Sequence, residues 1–393
     1  MAGNTQARKR RLPKETKKTG SRKIRPVDFA LCITVLLLLA LGIIMVLSAS
    51  SPAALAESGN SYAYVSRQAL AAGIGLVLMV IISRIDYRRY KQLYKIAYWA
   101  SLGLLILVPI MGSDAYGAKR WIDLGPLGSF QPSEISKIGF IVFFAAYLTD
   151  HKDELKSTWK GFIKPLLWLV PPIFVLVVFQ DHLSASIVIV VVTSIMMLVA
   201  GTRLRDFLTL GVGGAGASIG ALMLMAQATG KGSFRFDRLT SFLDPWADET
   251  GDGWQIIQSL YAIGSGGLFG AGLGNSKQKY LYLPFPHNDF IFAVLAEELG
   301  FVGCTIVILL FAIFIWRGIL IAMKADDSFG SLLAIGITSL IGIQVIINIA
   351  VVTNSMPVTG MPLPFFSYGG TALIILLASV GVLLNISRNM SKA

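Results

Sequence analysis

Apolar residues recur along this 393-residue chain in runs near twenty, the length an α-helix needs to cross a bilayer core of roughly 30 Å. The runs fall at 29–49, 66–83, 93–111, 133–149, 162–179, 184–200, 206–227, 288–316, 330–352 and 365–386. This pattern predicts an all-α, polytopic membrane protein with about ten transmembrane helices. The longest polar interruption, 228–288, separates the seventh and eighth runs and is dense in Arg, Asp, Gln, Gly and Trp. Connections of that length are uncommon unless they are functional or disordered, and the apolar and glycine content of this one predicts that it folds. One transmembrane domain, 29–386, thus stands between a tail at 1–28 and a short tail at 387–393.

Composition agrees: 54% of residues are hydrophobic and 14% charged, with a mean hydropathy of +0.68, which excludes an ordinary soluble domain. Ten Lys and Arg fall in the tail 1–28, which is poor in apolar residues and predicted to be disordered. Placing that tail in the cytoplasm puts 25 of the 34 basic residues on the inside, as positive-inside bias requires, and makes both termini cytoplasmic. The loops near 50–65, 112–131, 180–183, 228–288 and 353–364 then face outward. The net charge of +12 suits anionic membrane lipid rather than nucleic acid. SASSPAALA at 48–56 mimics a signal-peptidase site, but the apolar run before it is long enough to read as an uncleaved anchor. Cys32 and Cys304 lie within apolar runs and read as packed thiols, and no His, Cys or carboxylate cluster has metal-ligand spacing.

Four polar constellations fall on the outward side. The long loop carries Arg235, Asp237 and Arg238, then FLDPW at 242–246 and GDGWQIIQS at 251–259 with Gln258. Arginines grip phosphate bidentately and aromatic faces stack on sugars, although a solvated loop with an internal ion pair has the same composition. GSGGLFGAGLG at 264–274 has the glycine density of a phosphate cradle but follows no strand, which favours a re-entrant or surface-hugging segment. PFPHNDFIF at 284–292 puts Asp289 at the start of the eighth run, as a helix cap or a general base, with His287 a polar neighbour. Glu297 and Glu298 follow, where an unpaired carboxylate costs several kcal/mol.

QPSEISK at 131–137 sets Glu134 and Lys137 three residues apart on one helix face, so they form an ion pair or line a wet cavity. GAKRWIDLG at 117–125 adds Lys119 and Arg120 for phosphate, with Trp121 as an interfacial anchor. MPVTGMPLPFFSYGG at 356–370 breaks helix geometry ahead of the last run and presents Ser367 and Tyr368, predicting one wall of the same cavity. QDHLSAS at 180–186 reads as a tight turn with Asp181 as a cap.

Taken together, KRWI, QPSEISK, FLDPW, GWQIIQSLYAIGSGGLFGAGLGNSKQKYLYLP, HNDFIFAVLAEELGFVG and PVTGMPLPFFSYGG resemble the signature blocks of the SEDS family of cell-wall proteins, the FtsW, RodA and SpoVE type, in the family order. The resemblance implies a ten-span fold in the bacterial cytoplasmic membrane. It also implies a peptidoglycan glycosyltransferase that polymerises lipid II at the outer face, releases undecaprenyl pyrophosphate and works with a class B penicillin-binding protein transpeptidase. By motif, Asp289 is the catalytic residue. Glu134, Lys137, Trp121, Arg120, Arg235, Arg238, Gln258, Lys277, His287, Ser367 and Tyr368 are the candidates for binding lipid II and the nascent lipid-linked glycan. Because the leaving group is good, one base suffices, and a divalent cation (Mg2+ or Mn2+) could help steady the pyrophosphate.

Two departures from the family pattern stand out. Phe285 occupies a position, two before His287, where the family usually has an acidic residue, and QDHLSAS lacks the Pro-Asp-Gly-Thr wording of RodA-like members. The latter points to the division or sporulation branch. A lipid II flippase or exporter is the competing reading, and it leaves the long outer loop without a task.

Overall fold

The computed structural model of the protein describes residues 26–115, 118–123, 129–209, 242–249, 251, 253–280 and 282–390. The first half contains α1 (Phe29–Ser58), α2 (Ala63–Ile82), the short α3 (Arg88–Gln92), α4 (Tyr94–Met111), α5 (Pro132–Asp150), α6 (Lys152–Ser157), α7 (Trp159–Phe174) and α8 (Leu183–Ala200). The second half contains α9 (Trp254–Gly266), α10 (Ile291–Met323), α11 (Ser328–Val352) and α12 (Gly370–Arg388). Among the described residues, eight helices are long and apolar enough to cross a membrane. α5 occupies a ninth predicted run, made more polar by Glu134, Lys137 and Asp150. Most of the seventh predicted run lies outside the described residues, as do Asp237 and the candidate site residues Arg235 and Arg238.

Local chemistry sets the helix starts. Asp28 Oδ1 accepts from the Leu31 amide at 2.9 Å, capping α1, while its other oxygen pairs with Arg317 of α10. Asp327 caps α11 through the Gly330 amide at 2.7 Å and also accepts from Tyr87 and Arg88 at 2.8 and 2.9 Å. With the Lys91–Asp150 pair at 2.7 Å, these contacts gather ion pairs at one end of the bundle. The opposite end, where α5, α8, α10 and α12 begin, is the site end. α11 packs against α5, α8 and α10 and carries much of the buried core.

Three features go beyond the apolar pattern. α1 continues through SASSPAALA to Ser58, with Pro52 inside it and Ala49 and Ala54 buried. A small antiparallel sheet joins α4 to α5, with β1 (Ser113–Ala115) paired to β2 (Ala118–Asp123) and β2 paired to β3 (Ser129–Phe130). Finally, α10 is broken at Gly300, whose φ of 65° lies in the left-handed region. There the amides of Phe301 and Val302 leave the helix and donate to the carbonyls of Gly267 and Leu268 at 2.9 and 3.1 Å. The amides of Ala271 and Gly272 donate to the freed carbonyls of Glu297 and Glu298, at 2.9 and 3.1 Å. The segment after α9 is therefore spliced into the helix break, which pairs these four amides with four carbonyls. Gly300 lies nine residues into α10, about 14 Å from its start, close to the middle of a membrane core. The glycine-rich segment, expected to be re-entrant or surface-hugging, is thus joined to the break in α10, and its Phe269 is 81% exposed.

Candidate functional site

α10 starts at Ile291 with Phe290 at its N-cap position, so Asp289 stands one residue before that position. Its backbone carbonyl is held by α11, and the two residues before it by the 367–368 pair. Asn348 of α11 donates Nδ2 to the carbonyls of both Asp289 and Met361, each at 2.7 Å. The half-buried carboxylate lies against Gly360, where an added Cβ would sit 3.7 Å from Oδ2. Ser367 Oγ donates to the Asn288 carbonyl at 2.6 Å and accepts from the Leu363 amide at 2.7 Å. The Tyr368 amide donates to the His287 carbonyl at 2.8 Å. Gln68 of α2 closes this knot, giving Nε2 to the Ser367 carbonyl and accepting from the Gly369 amide, both at 3.1 Å. The predicted wall at 356–370 therefore does meet the 284–290 turn, and Ser367, Tyr368 and His287 come together beside Asp289.

His287 is buried between aromatic rings, 4.7 Å from Tyr64 and 5.9 Å from Tyr368 by ring centroids. Burial pushes its imidazole down to about 4, opposed by the negative charge of Glu57, so the ring is neutral at physiological pH. Phe285, in the same turn, adopts a φ of 50°, a strained value for an aromatic residue.

Glu134 and Lys137 form the expected pair: Nζ donates to Oε1 at 2.8 Å, with the lysine side chain only 2% exposed. Arg120, on β2, donates to the carbonyls of Gln180 and Asp181 at 3.3 and 2.5 Å, bringing the sheet against the turn between α7 and α8. Trp121 is half-buried in the same strand, in register with Ser113. The turn differs from expectation. His182, not Asp181, is the N-cap residue of α8, and Asp181 takes a left-handed φ of 47°. Ser184 of α8 then donates to the Thr359 carbonyl at 2.5 Å, linking this group to Gly360 and Asp289.

Gln258 and Lys277 lie elsewhere. Gln258 is buried on α9, beside Ser259, which donates to the Val352 carbonyl at 2.8 Å. The Lys277 side chain is exposed on the segment after α9, and its amide donates to Glu297 Oε1 at 2.8 Å, roughly two turns deeper than Asp289. The lysine that neutralises charge there is Lys279, whose Nζ reaches Glu298 Oε1 at 2.9 Å and Ser48 of α1 at 3.1 Å. Ser48 also donates to Glu298, while Ser276 and the Gln278 amide donate to Glu297 at 2.5 and 3.3 Å. These donors satisfy both carboxylates at membrane depth. Sequence reasoning missed Gln68, Asn348, His182 and Lys279; isolated amides inside apolar runs were the available signal for the first two. Among the described residues, no three His, Cys, Asp or Glu side chains gather as a resident metal would require.

Known proteins place the chain. A family model described as cell cycle protein, covering FtsW, RodA and SpoVE, matches residues 29–392. The chain is 45% identical over 364 residues to the stage V sporulation protein E of Bacillus subtilis (strain 168), spanning 92% of this chain and 97% of that relative. It is 40% identical over 375 residues to a probable peptidoglycan glycosyltransferase FtsW of Geobacter sp. (strain M18), spanning 95% and 100%. Its fold is similar to a chain solved in work on structural coordination of polymerization and crosslinking by a peptidoglycan synthase complex, with TM-score 0.74, 30% identity and coverage of 92% and 98%. It is also similar to the crystal structure of RodA from Thermus thermophilus, with TM-score 0.68, 29% identity and coverage of 93% and 98%. With the match running over nearly the whole length on both sides, the chain belongs to the FtsW/RodA/SpoVE family of cell cycle proteins.

Proposed function

We propose that the protein is a peptidoglycan glycosyltransferase that polymerises lipid II at the outer face of the bacterial cytoplasmic membrane, with Asp289 as its general base. One observation carries the assignment of the base. Asp289 stands just before α10 at the site end, where Asn348 of α11 holds its carbonyl and its half-buried carboxylate lies against Gly360, beside Ser367, Tyr368 and His287. Names borne by relatives, peptidoglycan glycosyltransferase and stage V sporulation protein, support the activity and a place in division or sporulation.

In this reading Asp289 removes the proton from the acceptor 4-hydroxyl as its oxygen attacks the anomeric carbon of the lipid-linked donor. The bond from that carbon to the diphosphate oxygen breaks, and undecaprenyl pyrophosphate leaves with the electron pair. The diphosphate lies toward Lys137, Arg120 or the loop arginines, and Mg2+ or Mn2+ arriving with it would share its charge. The bias of Lys and Arg supports cytoplasmic termini and an extracytoplasmic site. Similarity to a chain of a peptidoglycan synthase complex supports a class B penicillin-binding transpeptidase as partner.

The test is lipid II polymerisation by purified Asp289→Asn, with thermal unfolding measured alongside. The substitution keeps size and much of the hydrogen bonding, so a base predicts an intact fold with turnover down by roughly 10²-fold or more. Near-normal polymer output would remove the assignment, and lipid II movement without polymer by the unmodified protein would favour a flippase instead.

A further inference from the structure

Beside Asp289, on the turn between α7 and α8, lies a second polar centre that general-base catalysis does not use. His182 is 8% exposed, and its Nδ1 is buried without a hydrogen-bond partner among the described residues. It occupies the N-cap position of α8 but makes no side-chain cap, and Gln131, in the same position on α5, makes none either. The two helices start level, because Lys137 and Phe140 of α5 face Ile189 and Val192 of α8 around a small cavity. Two uncapped helix N-termini thus open side by side, and such termini favour anions through their free amides and dipoles.

Two more polar atoms without a partner among the described residues lie on the elements that meet there. Ser133 Oγ is buried in the first turn of α5, and Thr359 Oγ1 is buried on the segment that Ser184 of α8 holds by its carbonyl. Cations flank the group. Glu134 takes one of the three Lys137 ammonium donors, and Arg120 is clamped to the two carbonyls that immediately precede His182.

We infer that this corner is a phosphate-ester subsite, in which His182 donates Nδ1–H to a phosphate oxygen held between Lys137 and Arg120. Burial, then the charges of Arg120 and Lys137, push the His182 imidazole down to about 3, so before any anion binds the ring is neutral and has one N–H to donate. The inference rests on the polymerase reading only for what carries the phosphate. In that reading the carrier is a polyprenyl diphosphate, whose anion would lie next to Asp289 across the Ser184–Thr359–Gly360 link.

Full-length protein in detergent can be titrated with inorganic pyrophosphate and, separately, with undecaprenyl pyrophosphate, following thermal stabilisation. His182→Phe is expected to weaken binding by about tenfold, the worth of one hydrogen bond to a charged group. His182→Asn, whose amide N–H falls near Nδ1, is expected to stay within about threefold of the unmodified protein, while His182→Gln, which mimics Nε2, loses binding as Phe does. The Asn and Gln variants keep the comparison open if His182→Phe fails to fold. A His182-dependent loss for both ligands supports a site for the diphosphate itself, and a loss for the lipid alone supports a lipid-borne diphosphate. Equal binding of both ligands by all four proteins overturns the subsite. Polymerisation on the same preparations separates the two conclusions: polymer without His182-dependent binding overturns the subsite alone, and His182-dependent binding without polymer overturns the polymerase alone.

Discussion

Lys137 sits at membrane depth with Glu134 as its carboxylate partner, and that position sets what each is worth. Removing one member leaves the other charge unpaired, which typically costs about 3–5 kcal/mol, so Lys137→Met and Glu134→Gln should both lower melting temperature and folding yield. Exchanging the two residues should restore yield more fully than polymer output, because the pair survives but the cation moves. Equal recovery of both would reduce the pair to a structural bridge. His287 makes a second prediction. Its folded pKa is about 4 against 6.5 unfolded, so between those values the unfolded chain binds more protons and stability falls as pH falls. The penalty approaches about 3 kcal/mol near pH 4 and is absent above pH 7. His287→Phe should flatten that slope in melting curves taken from pH 7 to 4; an unchanged slope would assign it to other groups. Glu134, Lys137 and Asp289 were legible in the sequence because helical spacing and the edge of an apolar run fix their places. His182 and Asn348 were not, since their meaning depends on which distant carbonyl or cation faces them.

The break in α10 shows what a helical pattern conceals. An apolar run of this length reads as one continuous span, and nothing in its periodicity marks the residue where the ladder is handed to another segment. The glycines of 264–274 held the signal. Gly300 needs its positive φ, and a Cβ there would lie 2.3 Å from the Gly270 amide; a Cβ on Gly270 would lie 2.2 Å from the Glu298 carbonyl oxygen. Gly300→Ala should therefore cost several kcal/mol through backbone strain and loss of the splice, seen as a lower melting temperature and a poorer monodisperse fraction. Gly103→Ala, on α4 with open space at its Cβ, should be neutral or slightly stabilising. Similar losses in both variants would mean that the break carries no special role. The sheet of 113–130 was equally hidden, because its strands are two to six residues long and too short for alternation to register.

Across the whole molecule, polarity separates into two kinds. At one end Arg317–Asp28, Arg88–Asp327 and Lys91–Asp150 form ion pairs between neighbouring helices, the first two at the starts of α1 and α11. At the other, Asp289, Lys137, Arg120 and His182 collect around irregular backbone that Asn348 of α11 and Ser184 of α8 hold in place. If the positive-inside bias orients the bundle, the first end is cytoplasmic and the second faces outward. Single cysteines test this in a background where Cys32 and Cys304 are replaced by alanine. Ser355, exposed beside the site-end segment, should react as Ser355→Cys with a membrane-impermeant thiol reagent in intact cells. Asp153→Cys, exposed on α6 at the opposite end, should react only after the cells are opened. Met361 lies on the same segment as Ser355 but is buried, so a cysteine there would stay silent in either orientation and could not serve as the probe. Labelling of Asp153→Cys but not Ser355→Cys in intact cells would invert the bundle and place the Asp289 pocket on the cytoplasmic side, where a polymerase of extracytoplasmic glycan has no use for it.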